Sequence, residues 1–422
     1  MKFSPLVLTA VALVSTPAVI TSFSIVPTPI SSINKMSPLS SAVTTSSPGG
    51  ALFSTTVAAV EEATTTTSST STIGAVGSKL TDMELAKEAL SKFFDDDIVS
   101  DIKLTPSTGG VNNIVQFVTL PNGEQELLRI YNNGCDEQRV KFEHEILKQL
   151  NKFESELSFQ VPNFVASKED STKTMVRLSN GADACMCKII PGYLPKLTCA
   201  KDLGRTAGEL NVALATKVKI VDESMCNSAP YWQMWKVHHA VTKEKFIETM
   251  NGPYFDETRD VATRMLDETL AIVEKCEGAY QKQLPVQLIH GDLHYDNVLV
   301  QDGKVTALLD FEFAAYDWRA LELAIGLSKY AGEEPDAMPY FDDYIDGYAM
   351  TGILTRKEAE AIPDLINLRI LSNIVYFVGR HLANEDDISS ITTRIENYAN
   401  RVNWIKNNSD VIVNRIIEKM NL

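Results

Sequence analysis

The chain has little charge at its start and no positive excess overall. Its first 78 residues carry Lys2, Lys35, Glu61 and Glu62 as their only formal charges, so the net charge of −16 belongs to the remainder. A body this acidic has no broad basic face for phosphodiester backbones, which sets nucleic acid aside as a partner. Six cysteines are present (Cys135, Cys185, Cys187, Cys199, Cys226 and Cys276), and no pair has C-x-x-C spacing. Their even number permits disulfides arithmetically, but a chain of 422 residues buries enough core without them, and no other His or Cys spacing supports zinc. Cys185 and Cys187 alternate within an apolar run, which puts both on one face of a strand as small core residues.

A confident membrane-spanning run is also missing. The apolar segment from Pro5 to Ile20 follows Lys2 and precedes the small residues Thr21 and Ser22, the pattern of a secretory signal over residues 1–22. It is too short and too rich in Ser, Thr and Pro for a stable span in the mature chain. Residues 23–78 are rich in Ser, Thr, Pro and Ala, a transit-like or disordered leader. A signal followed by such a segment resembles the two-part leader of proteins sent to plastids bounded by extra membranes, although it lacks arginine; simple secretion is the alternative. The folded body is expected from Lys79.

The stretch from Leu288 to Ala324 is dense in chemistry. His290, Asp292 and Asn297 fit H-x-D-x-x-x-x-N, and an apolar run then delivers Asp310 in Asp310-Phe311-Glu312. Val298–Val300 and Val305–Leu309 read as strands joined by Gln301-Asp302-Gly303-Lys304, a hairpin signature that returns Asp310 to the end where Asn297 stands. One carboxylate to orient a hydroxyl, with an amide oxygen and a second carboxylate to hold magnesium, is the inventory of phosphoryl transfer from ATP. Asp292 is the expected base, beside His290, and Asn297 and Asp310 are the expected metal ligands.

This block resembles the catalytic segment of the aminoglycoside phosphotransferase and choline kinase superfamily, whose fold is protein-kinase-like. With His290-Gly291-Asp292, Asp310-Phe311-Glu312-Phe313-Ala314 and Leu321-Glu322-Leu323-Ala324, it is most similar to type II homoserine kinases. The resemblance implies an α+β, two-lobed architecture. Residues 79–190 would form a small antiparallel-sheet lobe with one helix for the nucleotide, and residues 191–422 a larger, mainly helical lobe for catalysis and the acceptor. It also implies an acid that steadies the catalytic loop, for which Asp317 matches better than Glu322.

Within the first lobe, Thr81 and Glu84 form a capping box for a helix reaching Phe94. Strands are expected over Ile98–Leu104, Ile114–Leu120 and Gln125–Tyr131, with Val161–Val165, Lys173–Leu178 and Ala184–Ile190 completing the antiparallel sheet. Gly109 and Gly110 lie in a loop placed to cover the phosphates. No lysine occupies the third strand where related kinases hold phosphate. Arg129 takes that position, with Glu143 of the helix Glu137–Asn151 as its expected partner and Glu145 as the competitor. Ile189 and Ile190 mark the adenine-binding hinge.

Beyond it the pattern turns helical, through Leu203, Ala207, Leu210 and Leu214, through the segment from Asp256 to Gln283, and again after a Thr355–Glu358 capping box. Trp232, Trp235 and His238 lie in an aromatic stretch suited to an acceptor pocket or to core packing. In related kinases C-terminal helices close the acceptor site, which makes Arg369, Tyr376, Arg380 and His381 candidates for an acceptor carboxylate. The expectation is an ATP- and magnesium-dependent small-molecule kinase with homoserine as the leading acceptor. Choline, ethanolamine, another amino alcohol or a sugar is the first alternative, and a nucleotide-binding scaffold that has lost catalysis the second.

Overall fold

The protein is described by a computed structural model that covers residues 80–422, apart from residues 107–112, 132–135, 196, 221, 227 and 333–335. The expected leader, the loop carrying Gly109 and Gly110, and Cys135 lie outside the described residues.

Helix α1 (Asp82–Ser91) starts at the expected capping box: Thr81 Oγ1 accepts the Glu84 N–H at 3.3 Å, and Glu84 Oε2 accepts the Thr81 N–H at 2.7 Å. The next segment corrects the sequence reading, because Asp96–Asp101 is a short helix, α2, and the first strand begins only at Lys103. Asp96 and Asp97 occupy the first turn of α2, where acids complement the helix dipole. Strands β1 (Lys103–Pro106), β2 (Asn113–Thr119), β3 (Gln125–Tyr131), β4 (Met175–Arg177) and β5 (Asp183–Lys188) form an antiparallel sheet in the order β1-β2-β3-β5-β4. Five strands suffice without Val161–Val165, which forms no strand. Pro162 has no N–H to offer, and the segment only touches β5 through the Val165 N–H on Met186 O at 2.8 Å and the Lys188 N–H on Asn163 O at 3.1 Å.

The period of two divides the duties of this sheet. Val118, Leu128, Ile130, Ala184 and Met186 pack with Leu85, Ala86, Ala89 and Leu90 of α1 into a small core. Val115, Leu127, Arg129, Cys185 and Cys187 face the other way, into a cleft. The two cysteines do share a buried face, and that face lines the cleft. Helix α3 (Glu137–Asn151) has the bounds the sequence predicts and buries Phe142, Ile146, Leu147 and Leu150.

The larger part is helical. Helices α4 (Ala200–Thr216), α5 (Lys243–Met250), α6 (Arg259–Gly278), α7 (Leu321–Ser328), α8 (Met338–Thr351), α9 (Arg356–Leu382), α10 (Ser389–Thr392) and α11 (Ile395–Met420) surround two strand pairs. These are β6 (Val286–Ile289) with β9 (Ala315–Trp318), and the hairpin β7 (Val298–Gln301) with β8 (Lys304–Leu308). Asp302 and Gly303 both have positive φ, 50° and 75°, as a two-residue hairpin turn requires. Helices α4 and α8 approach so closely that a Cβ on Gly347 would lie 1.8 Å from Lys201 O. Among the described residues α9 is long and apolar enough to cross a membrane by length and composition, and most of it is buried in the fold.

Candidate active site

Strand β6 feeds the loop His290–Asn297, and β7 leaves it, so both ends of the loop are anchored in backbone pairing. Gly291 has φ 80°, and a Cβ there would sit 2.4 Å from Phe313 O. Only glycine lets the chain turn this close to the segment after Asp310. His290 is fully buried: its Nε2 donates to Leu309 O at 2.9 Å and its Nδ1 accepts the Asp292 N–H at 3.2 Å. That pattern uses one donor and one acceptor, a neutral imidazole, and burial lowers its pKa to about 4.

Asp292 thereby projects with both oxygens engaged. Oδ1 accepts Arg369 Nη2 at 2.7 Å, while Oδ2 accepts Asn297 Nδ2 at 3.1 Å and faces His294 Nε2 at 3.4 Å. Burial opposes its ionisation, but His294 and the Arg369 guanidinium outweigh it and hold the carboxyl well below the usual range. Asn297 Nδ2 also donates to Asp292 O at 2.8 Å, and Asn297 Oδ1 is buried with no partner among the described residues.

The hairpin does what its spacing promises. Leu309 N–H bonds Asn297 O at 3.0 Å, which sets Asp310 beside the end of the loop, in the left-handed region at φ 64°. Across the cleft, Arg129 Nη1 meets Glu143 Oε1 at 3.0 Å, and its Nη2 meets Asp310 Oδ1 at 3.2 Å and Glu312 Oε2 at 2.8 Å. Glu145 instead accepts from Gln149. One guanidinium thus binds three carboxylates, with Asn113 Nδ2 donating to Glu312 at 3.2 Å as well. Glu312 has no counterpart in the sequence expectations, although its place in Asp310-Phe311-Glu312 was visible there.

The cleft above these groups is partly open to solvent and mostly apolar in its lining, with a few polar groups at one end, the character of small-molecule and cofactor sites. Phe164, Ile189, Ile190, Leu299 and Leu309 give it apolar walls, and Arg129, Glu143 and Asp310 close its polar end.

A match to the model of the phosphotransferase enzyme family runs over residues 103–360, from β1 into α9. The chain belongs to this family. Homoserine kinase of Zymomonas mobilis is 26% identical over 183 residues, which are 43% of this chain and 53% of that protein. Homoserine kinase of Gluconobacter oxydans is 40% identical over 122 residues, 27% of this chain and 39% of that one. The phosphotransferase therefore spans about half or less of the length of these curated relatives. A microcompartment-associated aminopropanol kinase superposes with TM-score 0.54 at 16% identity, covering 79% of this chain and 99% of that chain. An amicoumacin kinase in complex with AMP-PNP, Ca2+ and Ami gives TM-score 0.55 at 15% identity, covering 78% and 93%. At such identities the likeness is one of fold, the two-lobed protein-kinase-like α+β architecture.

Asp317 does not hold the loop His290–Asn297 of this phosphotransferase. Its carboxylate accepts the N–H groups of Tyr231 and Trp318, both at 2.6 Å. The acid bonded to the loop is Glu322, whose Oε2 accepts the His290 N–H at 2.6 Å. Asp317 is buried in β9 and is spent on neighbouring backbone, whereas the first turn of α7 aims Glu322 beneath the loop.

The residues expected at the acceptor separate in space. Trp232 packs tilted against Trp318 at 4.8 Å and Trp235 lies 5.7 Å from Phe246, both as packing. His238 packs edge-on to Tyr376 at 5.6 Å, and Arg380 is taken up by Asp386 at 2.5 Å and Glu385 at 3.3 Å. The arginine at Asp292 is Arg369, three helical turns before Arg380 on α9, about 16 Å of helix away. The residue of that aromatic stretch that reaches this site is Tyr231, whose hydroxyl donates to Gly291 O at 3.0 Å and whose ring lies 5.6 Å under the Arg369 guanidinium.

His238, His239 and Glu385 bring ligand atoms within 4.8 Å of one another. His238 Nδ1 accepts the Ala240 N–H at 3.2 Å, so its proton sits on Nε2, facing Glu385. That tautomer offers no lone pair to a metal, and Arg380 supplies the cluster's positive charge.

Proposed function

We propose that this phosphotransferase transfers the γ-phosphate of ATP to the hydroxyl of a small molecule, with homoserine as the acceptor. The observation that carries the reading is that the Asp292–Asn297 pair is tied through Leu309 to Asp310, which lines the polar end of an apolar cleft. Adenine fits the walls at Ile190, Leu299 and Leu309, and Arg129, positioned by Glu143, faces the phosphates. Asp292 orients the acceptor hydroxyl and accepts its proton as transfer proceeds.

Magnesium suits the donor set. Asn297 Oδ1 is a buried oxygen without a hydrogen-bond partner, and Asp310 supplies a carboxylate nearby, both hard ligands. When bound, the ion neutralises charge on the transferring phosphates. The curated relatives support homoserine over other acceptors. The scaffold alternative rested on Arg129 replacing lysine, and the Arg129–Glu143 pair supports a working cation instead. The leader composition of residues 1–78 supports delivery to a plastid, which a fluorescent fusion would test by its position.

The deciding experiment is ADP release by residues 79–422 with ATP and magnesium across homoserine, choline, ethanolamine and simple sugars. Homoserine-dependent turnover that disappears in Asp292→Asn is the expected result. Turnover with choline or ethanolamine alone would move the acceptor to the amino-alcohol class.

A further inference from the structure

Arg369 is an unusual neighbour for a residue that orients a hydroxyl. It reaches from the middle of α9 with 13% of its side chain exposed, and donates from Nη2 to Asp292 Oδ1 at 2.7 Å. Its Nη1 donates to Asn373 Oδ1 at 2.5 Å, one turn along the same helix. The third nitrogen, Nε, is buried and has no partner among the described residues. A buried guanidinium N–H left unbonded carries a desolvation cost, and the side chain is a rigid fork made for planar anions. The Tyr231 ring covers one face of the guanidinium, so a ligand has to approach its edge.

We propose that Arg369 is the acceptor-recognition residue of this site: its free Nε edge takes the carboxylate of a small hydroxy acid, next to the Asp292 oxygen that orients the acceptor hydroxyl. The inference rests on the kinase reading above and narrows its substrate class. Because Asp292 and the incoming carboxylate share one guanidinium, the acceptor's hydroxyl and carboxylate must lie only a few bonds apart. A short hydroxy amino acid satisfies this, whereas an amino alcohol without a carboxylate leaves Nε unbonded and sets its ammonium beside a fixed positive charge. Arg369 also ties acceptor binding to Asp292. It donates to Asp292 from Nη2 while Nε stays unbonded, so one guanidinium sets the carboxylate beside the oxygen that orients the hydroxyl. Binding and orientation are then one event.

The test compares homoserine with 2-amino-1,4-butanediol, the same skeleton with the carboxylate reduced to an alcohol, by calorimetric titration and by ADP release. Wild type, Arg369→Gln and Arg369→Lys are measured, with magnesium-ATP binding as the check that each variant is folded. Wild type is expected to bind homoserine roughly 100-fold or more tightly than the diol, since a site built to bond a group rejects the analogue lacking it. Arg369→Gln should lose that preference while keeping weak binding of the diol, and Arg369→Lys should regain part of it, retaining charge without the fork. Equal losses for both ligands in Arg369→Gln would overturn the inference and leave Arg369 a support for Asp292. So would a wild-type preference for the diol. Because binding is read directly, homoserine held through Arg369 without turnover would support the recognition role and count against the kinase reading alone.

Discussion

Glu322 Oε2 accepts the backbone N–H of His290 at 2.6 Å, joining helix α7 to the loop His290–Asn297 across 32 residues of sequence. The acid is wholly buried, and its second oxygen has no partner among the described residues. Burial pushes its carboxyl up to about 8, against the opposing pull of the His290 and Gly291 N–H groups. Asp317, one strand away, is pushed up to about 7 by burial as well.

These shifts give stability a basic limb. A carboxyl whose folded pKa is raised binds its proton more tightly in the native state. Its contribution is full below the unfolded value near 4.5 and is lost as pH rises through about 8. The thermal midpoint of wild type should therefore fall between about pH 5 and pH 8.5, and Glu322→Gln should flatten that fall, by an amount on the order of 3 kcal/mol or less. An acid limb comes from His290, lowered by burial to about 4, which costs stability as pH drops below about 6.5. Melting curves of both proteins across this range provide the check, and parallel slopes would mean that Glu322 is ionised in the fold.

Gly291→Ala should separate loop geometry from folding. The new Cβ meets Phe313 O at 2.4 Å and the residue must keep φ near 80°, so the turn shifts and carries Asp292 with it. A loss of about 1–3 kcal/mol in stability is expected from the strained backbone. The loss of turnover should be larger, roughly 100-fold, because a displaced orienting group affects the transition state. Denaturant melts and ADP release on the same preparation measure the two effects.

Arg129 pairs with Glu143, Asp310 and Glu312 at once, so its replacements should differ sharply. Arg129→Ala leaves three mutually repelling carboxylates in a desolvated site, and about 3–5 kcal/mol of destabilisation is expected. Arg129→Lys keeps the charge but cannot bridge the three, and should fold while raising the KM for ATP about tenfold. Thermal melts rank the first pair, and initial rates over an ATP titration rank the second.

Asn297→Ala removes the unpartnered Oδ1 and also the Nδ2 that holds Asp292. Asn297→Asp restores an oxygen ligand without that donor. Asn297→Ala should need about tenfold more magnesium for half-maximal stabilisation by ATP, and Asn297→Asp should recover most of that loss, as expected of an oxygen ligand to the metal. Chelation should abolish the ATP-induced thermal shift of wild type. A shift that persists in EDTA would show that nucleotide binding does not depend on the metal.

The helix pair α4 and α8 offers a stability test far from any chemistry. Gly347→Ala drives a Cβ to 1.8 Å from Lys201 O, and the helices can accept it only by separating. A cost of about 1–3 kcal/mol is expected from such overpacking, with ATP affinity unchanged in protein that remains folded.

What was legible in the sequence was local. The Thr81–Glu84 and Thr355–Glu358 capping boxes, the Asp302-Gly303 turn and the bounds of β3 and α3 each depend on residues within a few positions of one another. The order of His290, Asp292, Asn297 and Asp310 around one hairpin was legible for the same reason, since the pairing of β7 with β8 is itself local. Two strand assignments failed because apolar content was weighed above the acids at the start of α2 and above Pro162. Tertiary structure decided which of several chemically equivalent residues reached the site. Glu322 rather than Asp317 meets His290, and Arg369 rather than Arg380 meets Asp292. In each pair the two residues are similar in charge and close in sequence. The packing of α7 and α9 against the loop selects between them, because a carboxylate or guanidinium acts only where its few ångströms of reach ends.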